Sequence, residues 1–310
     1  MIDPVAGTDS VRDLAVADGV IVDAVSDAAV TLDVSGKVVA PGFVDVHVHL
    51  REPGQEHKED VATATAAAAA GGFTTVVAMP NTVPPPDRPE HLAALRAIVS
   101  AKARVRVLTT AALSVDRAGK EATDINALAA EPEVVAFTDD GNCLESPDLM
   151  RRVMTAAAAT GLCVMDHCED RMVWNNGVVR AGSVAEQLGV PGMPPETESN
   201  IVERNIALCR ETSARILMQH LSTTRSIELV LAARAEGLPV SAEITPHHLA
   251  LTVDAVPMLG TNAKMNPPLR TASDIAQLKE AIADGTITVL ATDHAPHAAS
   301  RKSVDFADAA

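Results

Sequence analysis

Phe43-Val44-Asp45-Val46-His47-Val48-His49-Leu50 decides the fold. It is a β-branched apolar run carrying two histidines at a spacing of two, and alternate side chains of a strand share a face. His47 and His49 therefore point one way and the valines the other. In a barrel the valines would pack on helices, leaving the histidines inside, near the strand's C-terminal end. Two neutral imidazoles placed so can ligate one metal ion. Taken alone, the same spacing also describes two polar residues at a strand end.

Working outward, β-branched apolar runs alternate with alanine- and leucine-rich stretches of helical character, the pattern of repeated strand–helix units in a parallel sheet. Eight such runs are legible: Phe43 to His49, Thr74 to Met79, Arg104 to Thr109, Val134 to Thr138, Leu162 to His167, Arg215 to His220, Pro239 to Glu243 and Ile287 to Thr292. Helices are predicted over His57 to Ala70, Glu90 to Ala101, Pro147 to Thr160, Ser222 to Glu236 and Ser273 to Ala283, several ending at glycine. Eight units close a (β/α)8 TIM-type barrel of α/β class; a doubly wound open sheet is the other architecture the pattern admits. Ahead of it, Val11 to Val34 is β-like around the turn signal Asp18-Gly19. Pro84-Pro85-Pro86 and Gly189 to Pro195 read as rigid loops.

A length of 310 residues permits one barrel with additions. Apolar residues, 47% of the chain, form no run long enough for a bilayer span, and Met1 opens no secretory leader, so a soluble, cytoplasmic protein without membrane attachment is expected. The net charge of −16 disfavours nucleic acid as a partner. Cys143, Cys163, Cys168 and Cys209 form no Cys-x-x-Cys pair and read as reduced core thiols. One Trp, four Phe and no Tyr leave helix–sheet packing to Ala, Val and Leu.

Four further ligand-type residues fall at strand C-termini: Asp140, His167, His220 and Asp293. Barrel active sites are built on that edge. A lone His220 or His167 would read as a hydrogen-bonded structural histidine; six such residues converging on one edge point to a metal centre.

Longer motifs carry a resemblance. They are Asp45-Val46-His47-Val48-His49-Leu50-Arg51-Glu52-Pro53-Gly54, Met79-Pro80-Asn81-Thr82, Phe137-Thr138-Asp139-Asp140-Gly141, Asp166-His167-Cys168-Glu169, Thr245-Pro246-His247-His248, Asn266-Pro267-Pro268-Leu269-Arg270 and Ala291-Thr292-Asp293-His294-Ala295-Pro296-His297. Over nearly its whole length the chain resembles the bacterial type I dihydroorotases of the amidohydrolase superfamily. The resemblance implies a hydrolase of pyrimidine biosynthesis that reversibly cyclises N-carbamoyl-L-aspartate to dihydroorotate and water. It implies two zinc ions, one held by His47, His49 and Asp293 and the other by His167 and His220. Asp140 is the implied bridge, with Asp139 the alternative, where other branches use a carboxylated lysine. Asp293 is the implied proton carrier; Arg51, Asn81 and His297, with His49 and Asn266, are the implied substrate contacts. A guanidinium binds a carboxylate bidentately, which a neutral residue cannot reproduce. His247, His248, His294 and Asp45 are expected to serve hydrogen bonding and packing.

Against the family pattern, residues 1–40 correspond to part of an N-terminal β-sandwich and residues 41–310 to a barrel lacking its final helix. Exposed apolar surface on strands eight and one, and poor solubility, are the corresponding expectations. A homo-oligomer is expected, and an aspartate transcarbamoylase partner is possible for such a chain. The competing readings are a hydantoinase- or allantoinase-like cyclic-amide hydrolase and a non-catalytic scaffold for aspartate transcarbamoylase.

Overall fold

The computed structural model describes residues 1–310, which divide into two compact units, Met1–Phe43 and Val44–Ala310. In the first unit the β structure consists of two short antiparallel pairs, Ile2–Asp3 with Thr8–Asp9 and Ala15–Ala17 with Val20–Val22. The second pair turns at Asp18-Gly19, whose φ values of 51° and 76° suit a tight hairpin. Val30, Leu32 and Val34, expected to extend this region, are exposed and outside any strand.

Eight strands build the larger sheet: β1 Phe43–Val48, β2 Phe73–Ala78, β3 Arg106–Ala111, β4 Val134–Phe137, β5 Cys163–Asp166, β6 Ile216–Met218, β7 Val240–Ile244 and β8 Val289–Leu290. They lie side by side in sequence order. Beyond the ladder proper, a parallel bridge between Val48 and His294 brings the two edges together, with His49 N–H donating to the His294 carbonyl at 2.9 Å. The open-sheet alternative is thereby set aside: this is a (β/α)8 barrel.

A main helix follows each of the first seven strands: α1 Val61–Ala70, α2 Pro89–Lys102, α3 Ile125–Ala129, α4 Pro147–Thr160, α5 Glu196–Thr212, α6 Thr224–Ala235 and α7 Ala272–Ala283, with shorter helices Ser183–Leu188 ahead of α5 and Pro246–Ala250 and Val256–Leu259 ahead of α7. Their limits follow local chemistry. Ser146 caps α4 by accepting from Leu149 N–H, Pro147 occupies the first turn, and Gly161 ends the helix at φ 76°. Thr271 and Asp274 form a reciprocal capping box on α7, as Asp60 and Thr63 do on α1.

Several placements differ from expectation: α1 begins at Val61, behind its Asp60 cap, and not at His57, α3 was not foreseen, and three more have identifiable causes. Strand β3 begins two residues late, because Ala103 to Val105 are used in leaving α2 and Arg104 N–H bonds to Thr65 Oγ1. Strand β8 is only two residues long, because Thr292 leaves the ladder to donate to Asp45 from its N–H (3.1 Å) and Oγ1 (2.5 Å). Helix α5 was not foreseen: its buried face mixes Ile201, Val202, Ile206 and Cys209 with Thr197, Glu198, Ser199 and Asn205, so its apolar stripe is diluted.

The barrel interior is filled by Val77, Met79, Ala136, Met165 and Leu217. Val48 packs outward with Val61 and Ala64 of α1, as expected, whereas Val46 packs against the interior cluster. The largest apolar cluster lies between sheet and helices and includes Phe137, Met150, Met154, Ile216 and Leu278, all fully buried. This layer holds β4 and β6, and so the loops that follow them. Truncating Phe137 to Ala should cost about 3–5 kcal/mol, from lost transfer energy plus a residual cavity. Denaturant unfolding measures it; an unchanged midpoint would show that the layer repacks freely.

Candidate metal centre

The six candidate ligands meet at the C-terminal end of the barrel. His47 lies in β1 and His49 just beyond it; Asp140, His167, His220 and Asp293 stand in the loops after β4, β5, β6 and β8. All but Asp293 are buried, and Asp293 is largely so. Asp140 is the centre of the group. Its Oδ1 lies 3.4 Å from His47 Nε2, 3.8 Å from His220 Nε2 and 4.0 Å from His167 Nδ1, while Oδ2 is 3.5 Å from His49 Nε2. Asp293 Oδ1 approaches His49 Nε2 at 3.0 Å and His47 Nε2 at 3.3 Å.

Asp139 faces the other way. Its carboxylate accepts from the N–H groups of Leu113 and Ser114 and from Ser114 Oγ. Of the two adjacent aspartates, the one before Gly141 therefore points at the imidazoles. Arg117 braces this turn, donating from Nη2 to the carbonyls of Asp139 and Asp140.

Backbone strain gathers here. Arg51, His220 and Asp293 have φ of 64°, 35° and 49°, in the left-handed region that non-glycine residues rarely adopt. At Asp293 the neighbouring Thr292–Asp45 bonds hold the turn, and at His220 the flanking N–H groups are taken by Glu243.

The electrostatics are those of a cation site. Burial alone would push the His47 imidazolium down, yet Glu243, Asp293 and Asp140 hold its pKa well above the ordinary histidine value. Burial likewise raises a carboxyl, but His47, His220 and His49 keep Asp140 well below the usual range, and His47 and His49 do the same for Asp293. Buried His47 Nε2, Asp140 Oδ1 and His220 Nδ1 have no hydrogen-bond partner. Buried polar atoms without partners cost about 1–3 kcal/mol each, so three among clustered imidazoles and carboxylates fit a divalent cation. His47, His49 and Asp293 form one triad with ligand atoms within 4.8 Å of one another; His47, Asp140 and His220 form a second. His167 joins through Nδ1, 2.8 Å from His220 Nε2.

Arg51, Asn81, His297 and Asn266 stand around this centre. Arg51 is buried and uses Nε on the Pro296 carbonyl at 3.2 Å; its terminal nitrogens form no hydrogen bond within the chain. Burial lowers its pKa, opposed by the charges of Asp293 and Asp140. His297 is pushed down to about 4 by burial and by the Arg51, Lys58 and Lys302 cations nearby, so at neutral pH it is an uncharged donor or acceptor beside a positive rim. Asn81 Oδ1 lies 2.9 Å from His49 Nδ1. Asn266 Nδ2 donates to Glu169 Oε2 at 2.9 Å.

Two carboxylates that the sequence reading passed over belong to the site. Glu169 Oε2 lies 3.5 Å from His167 Nε2, and His167 and Asn266 hold its pKa down to about 2 against the effect of burial. Glu243 Oε1 lies 2.8 Å from His47 Nδ1. Glu169 sits in the Asp166-His167-Cys168-Glu169 motif and Glu243 closes the seventh strand run; the signal was an acidic residue at a barrel strand's C-terminal end. His248 serves the fold, its two nitrogens lying 2.7 Å from Thr245 Oγ1 and 3.0 Å from the Pro267 carbonyl. That pairing suits a neutral ring, and burial puts its pKa well below the ordinary value. His247 contacts Thr245 Oγ1, and His294 pairs with Glu59.

Comparison with known proteins supplies the family. Residues 36–226 match the family described as dihydro-orotase-like. The dihydroorotase of Anoxybacillus flavithermus is 46% identical over 296 residues, covering 94% of this chain and 69% of that protein. The chain belongs to the dihydroorotase family. Another member, the dihydroorotase of Bacillus cytotoxicus, is 44% identical over 301 residues, covering 96% of this chain and 70% of its own. Among solved structures, the L-hydantoinase of Arthrobacter aurescens shares the fold with a TM-score of 0.78 at 23% identity, over 91% of this chain and 64% of its own. The dihydropyrimidinase of Brevibacillus agri does so at a TM-score of 0.74 and 23% identity, over 93% and 67%. No helix is long and apolar enough to cross a membrane.

The opposite orientations of the two aspartates can be separated in chelator-treated protein. Asp139→Asn, which turns an amide toward three donors, should cost about 1–3 kcal/mol of stability and leave zinc uptake largely intact. Asp140→Asn should abolish zinc uptake with a smaller effect on the metal-free fold. Denaturant midpoints and elemental analysis read both; the reverse pattern would exchange their roles.

Proposed function

We propose that the chain is a zinc-dependent dihydroorotase, interconverting N-carbamoyl-L-aspartate and (S)-dihydroorotate plus water in de novo pyrimidine synthesis. The observation that carries this reading is Arg51, a buried guanidinium with unengaged terminal nitrogens, set beside a cation centre in a chain of this family. His47, His49 and Asp293 would hold one zinc and His167 and His220 the other, with Asp140 between them. Two such cations lower the pKa of water at the site and polarise the carbonyl under attack.

The chain's own residues supply the rest. Arg51, with the neutral His297 and Asn81, grips the substrate carboxylate. Asn81 Oδ1 is committed to His49, which leaves its Nδ2 as the donor for substrate. Asn266, tethered by Glu169, orients the ring. In ring opening, Asp293 accepts the proton of the attacking water and returns it to the departing ring nitrogen; in ring closure the transfers reverse. His49, whose Nδ1 is taken by Asn81 Oδ1, presents Nε2 3.0 Å from Asp293 Oδ1, where both would meet the first zinc. We place the protein in the cytoplasm as a homo-oligomer; aspartate transcarbamoylase is a candidate partner, and its net charge of −16 argues against nucleic acid.

The test compares substrates with and without a carboxylate. Zinc-loaded protein should hydrolyse dihydroorotate in preference to dihydrouracil or hydantoin, and Arg51→Gln should lower kcat/KM for dihydroorotate by about 100-fold, the scale of a lost charge-assisted pair. The same substitution should barely change turnover of dihydrouracil. Equal loss on both substrates would show that Arg51 supports the fold rather than the carboxylate, and a preference for hydantoin would assign the chain to the hydantoinase activity instead.

A further inference from the structure

Glu243 stands outside the six ligand candidates yet touches two of them. It lies on β7, is completely buried, and has no Lys or Arg partner; its one ion-pair neighbour is His47. A fully buried carboxylate without a dedicated cation is costly, and its counter-charge can come only from the imidazole cluster and what that cluster holds.

Its two contacts act differently. Oε1 lies 2.8 Å from His47 Nδ1. A carboxylate at this distance accepts from Nδ1–H, which leaves Nε2, 3.4 and 3.3 Å from Asp140 and Asp293, as the nitrogen facing the centre. Gln219 Nε2, 3.3 Å from the same Nδ1, is a donor and cannot set this tautomer. On His220 the effect is through the backbone. Its N–H donates to Glu243 Oε1 at 3.2 Å, and Leu221 N–H donates to the Glu243 carbonyl at 2.9 Å, which together hold the turn at φ 35°.

We propose that Glu243 is a positioning residue for both halves of the centre at once, fixing the tautomer of His47 in one half and the backbone of His220 in the other. The inference rests on the metal reading above. Glu169 and Asn81 each orient one imidazole, His167 and His49, so their loss should weaken one half only. Outer carboxylates that fix a ligating histidine typically change metal affinity by about 10–100-fold.

Cobalt(II) titration of the chelator-stripped chain, followed by visible absorption and chelator competition, tests this alongside thermal melting of the stripped protein. Glu243→Gln keeps the side chain's volume and should weaken both binding steps by about 10-fold or more, with altered cobalt bands and unchanged melting of the stripped protein. Glu243→Ala should weaken both further, and Glu169→Gln only one. A Glu243→Gln isotherm matching wild type, a loss confined to one step, or a loss matched by a lower melting temperature of the stripped protein would each overturn the proposal. Wild-type protein that takes up no cobalt would instead refute the metal reading, and this inference with it.

Discussion

Asp140 is a carboxylate sunk among four imidazoles, and the layout of the barrel mouth follows from the need to place it there. Left alone, a buried charge of this kind costs several kcal/mol; surrounded by His47, His49, His167 and His220, it becomes the point on which imidazoles from β1 and from the loops after β5 and β6 converge. The loop that presents it is held on three sides. Asp139 ties it to the Leu113–Ser114 turn, Arg117 takes the two aspartate carbonyls, and Phe137 anchors the strand beneath. The strained backbones of Arg51, His220 and Asp293 stand around the same point, where packing and hydrogen bonding over-determine conformations that their own sequence disfavours.

Much of this was legible in the sequence because the barrel's regularity is local. Strand β1 and its two histidines were read from alternation, helix α4 from the run Pro147 to Thr160 and its closing Gly161, and the candidate ligands from their recurrence at strand C-termini. The less legible parts depend on partners distant in the chain. The early end of β8 is set by Asp45, 247 residues upstream of Thr292. Helix α5 escaped because Glu198, Ser199 and Asn205 sit on its buried face. Glu198 faces inward because Ser222 and Thr223 supply it with backbone and hydroxyl donors, a pairing invisible to a hydrophobicity pattern.

The site shows the same division. Six residues of types suited to a metal could be picked out one by one, but their orientation could not. That Asp139 turns away and Asp140 turns in follows from N–H groups of a neighbouring loop, and His47 Nδ1 is taken by Glu243 from another strand. The same holds for the side-chain amides around the centre: Asn81 is half committed to His49 and Asn266 to Glu169. The positive rim made by Arg51, Lys58 and Lys302 offsets locally the strongly negative charge of the whole chain.

The central claim is that these side chains form a two-cation centre around Asp140. Anomalous diffraction from zinc-loaded crystals, recorded on either side of the zinc edge, tests it most directly. The account predicts two peaks flanking the Asp140 carboxylate, one against His47, His49 and Asp293 and one against His167 and His220. No peak there, or zinc held only by surface residues, would contradict it.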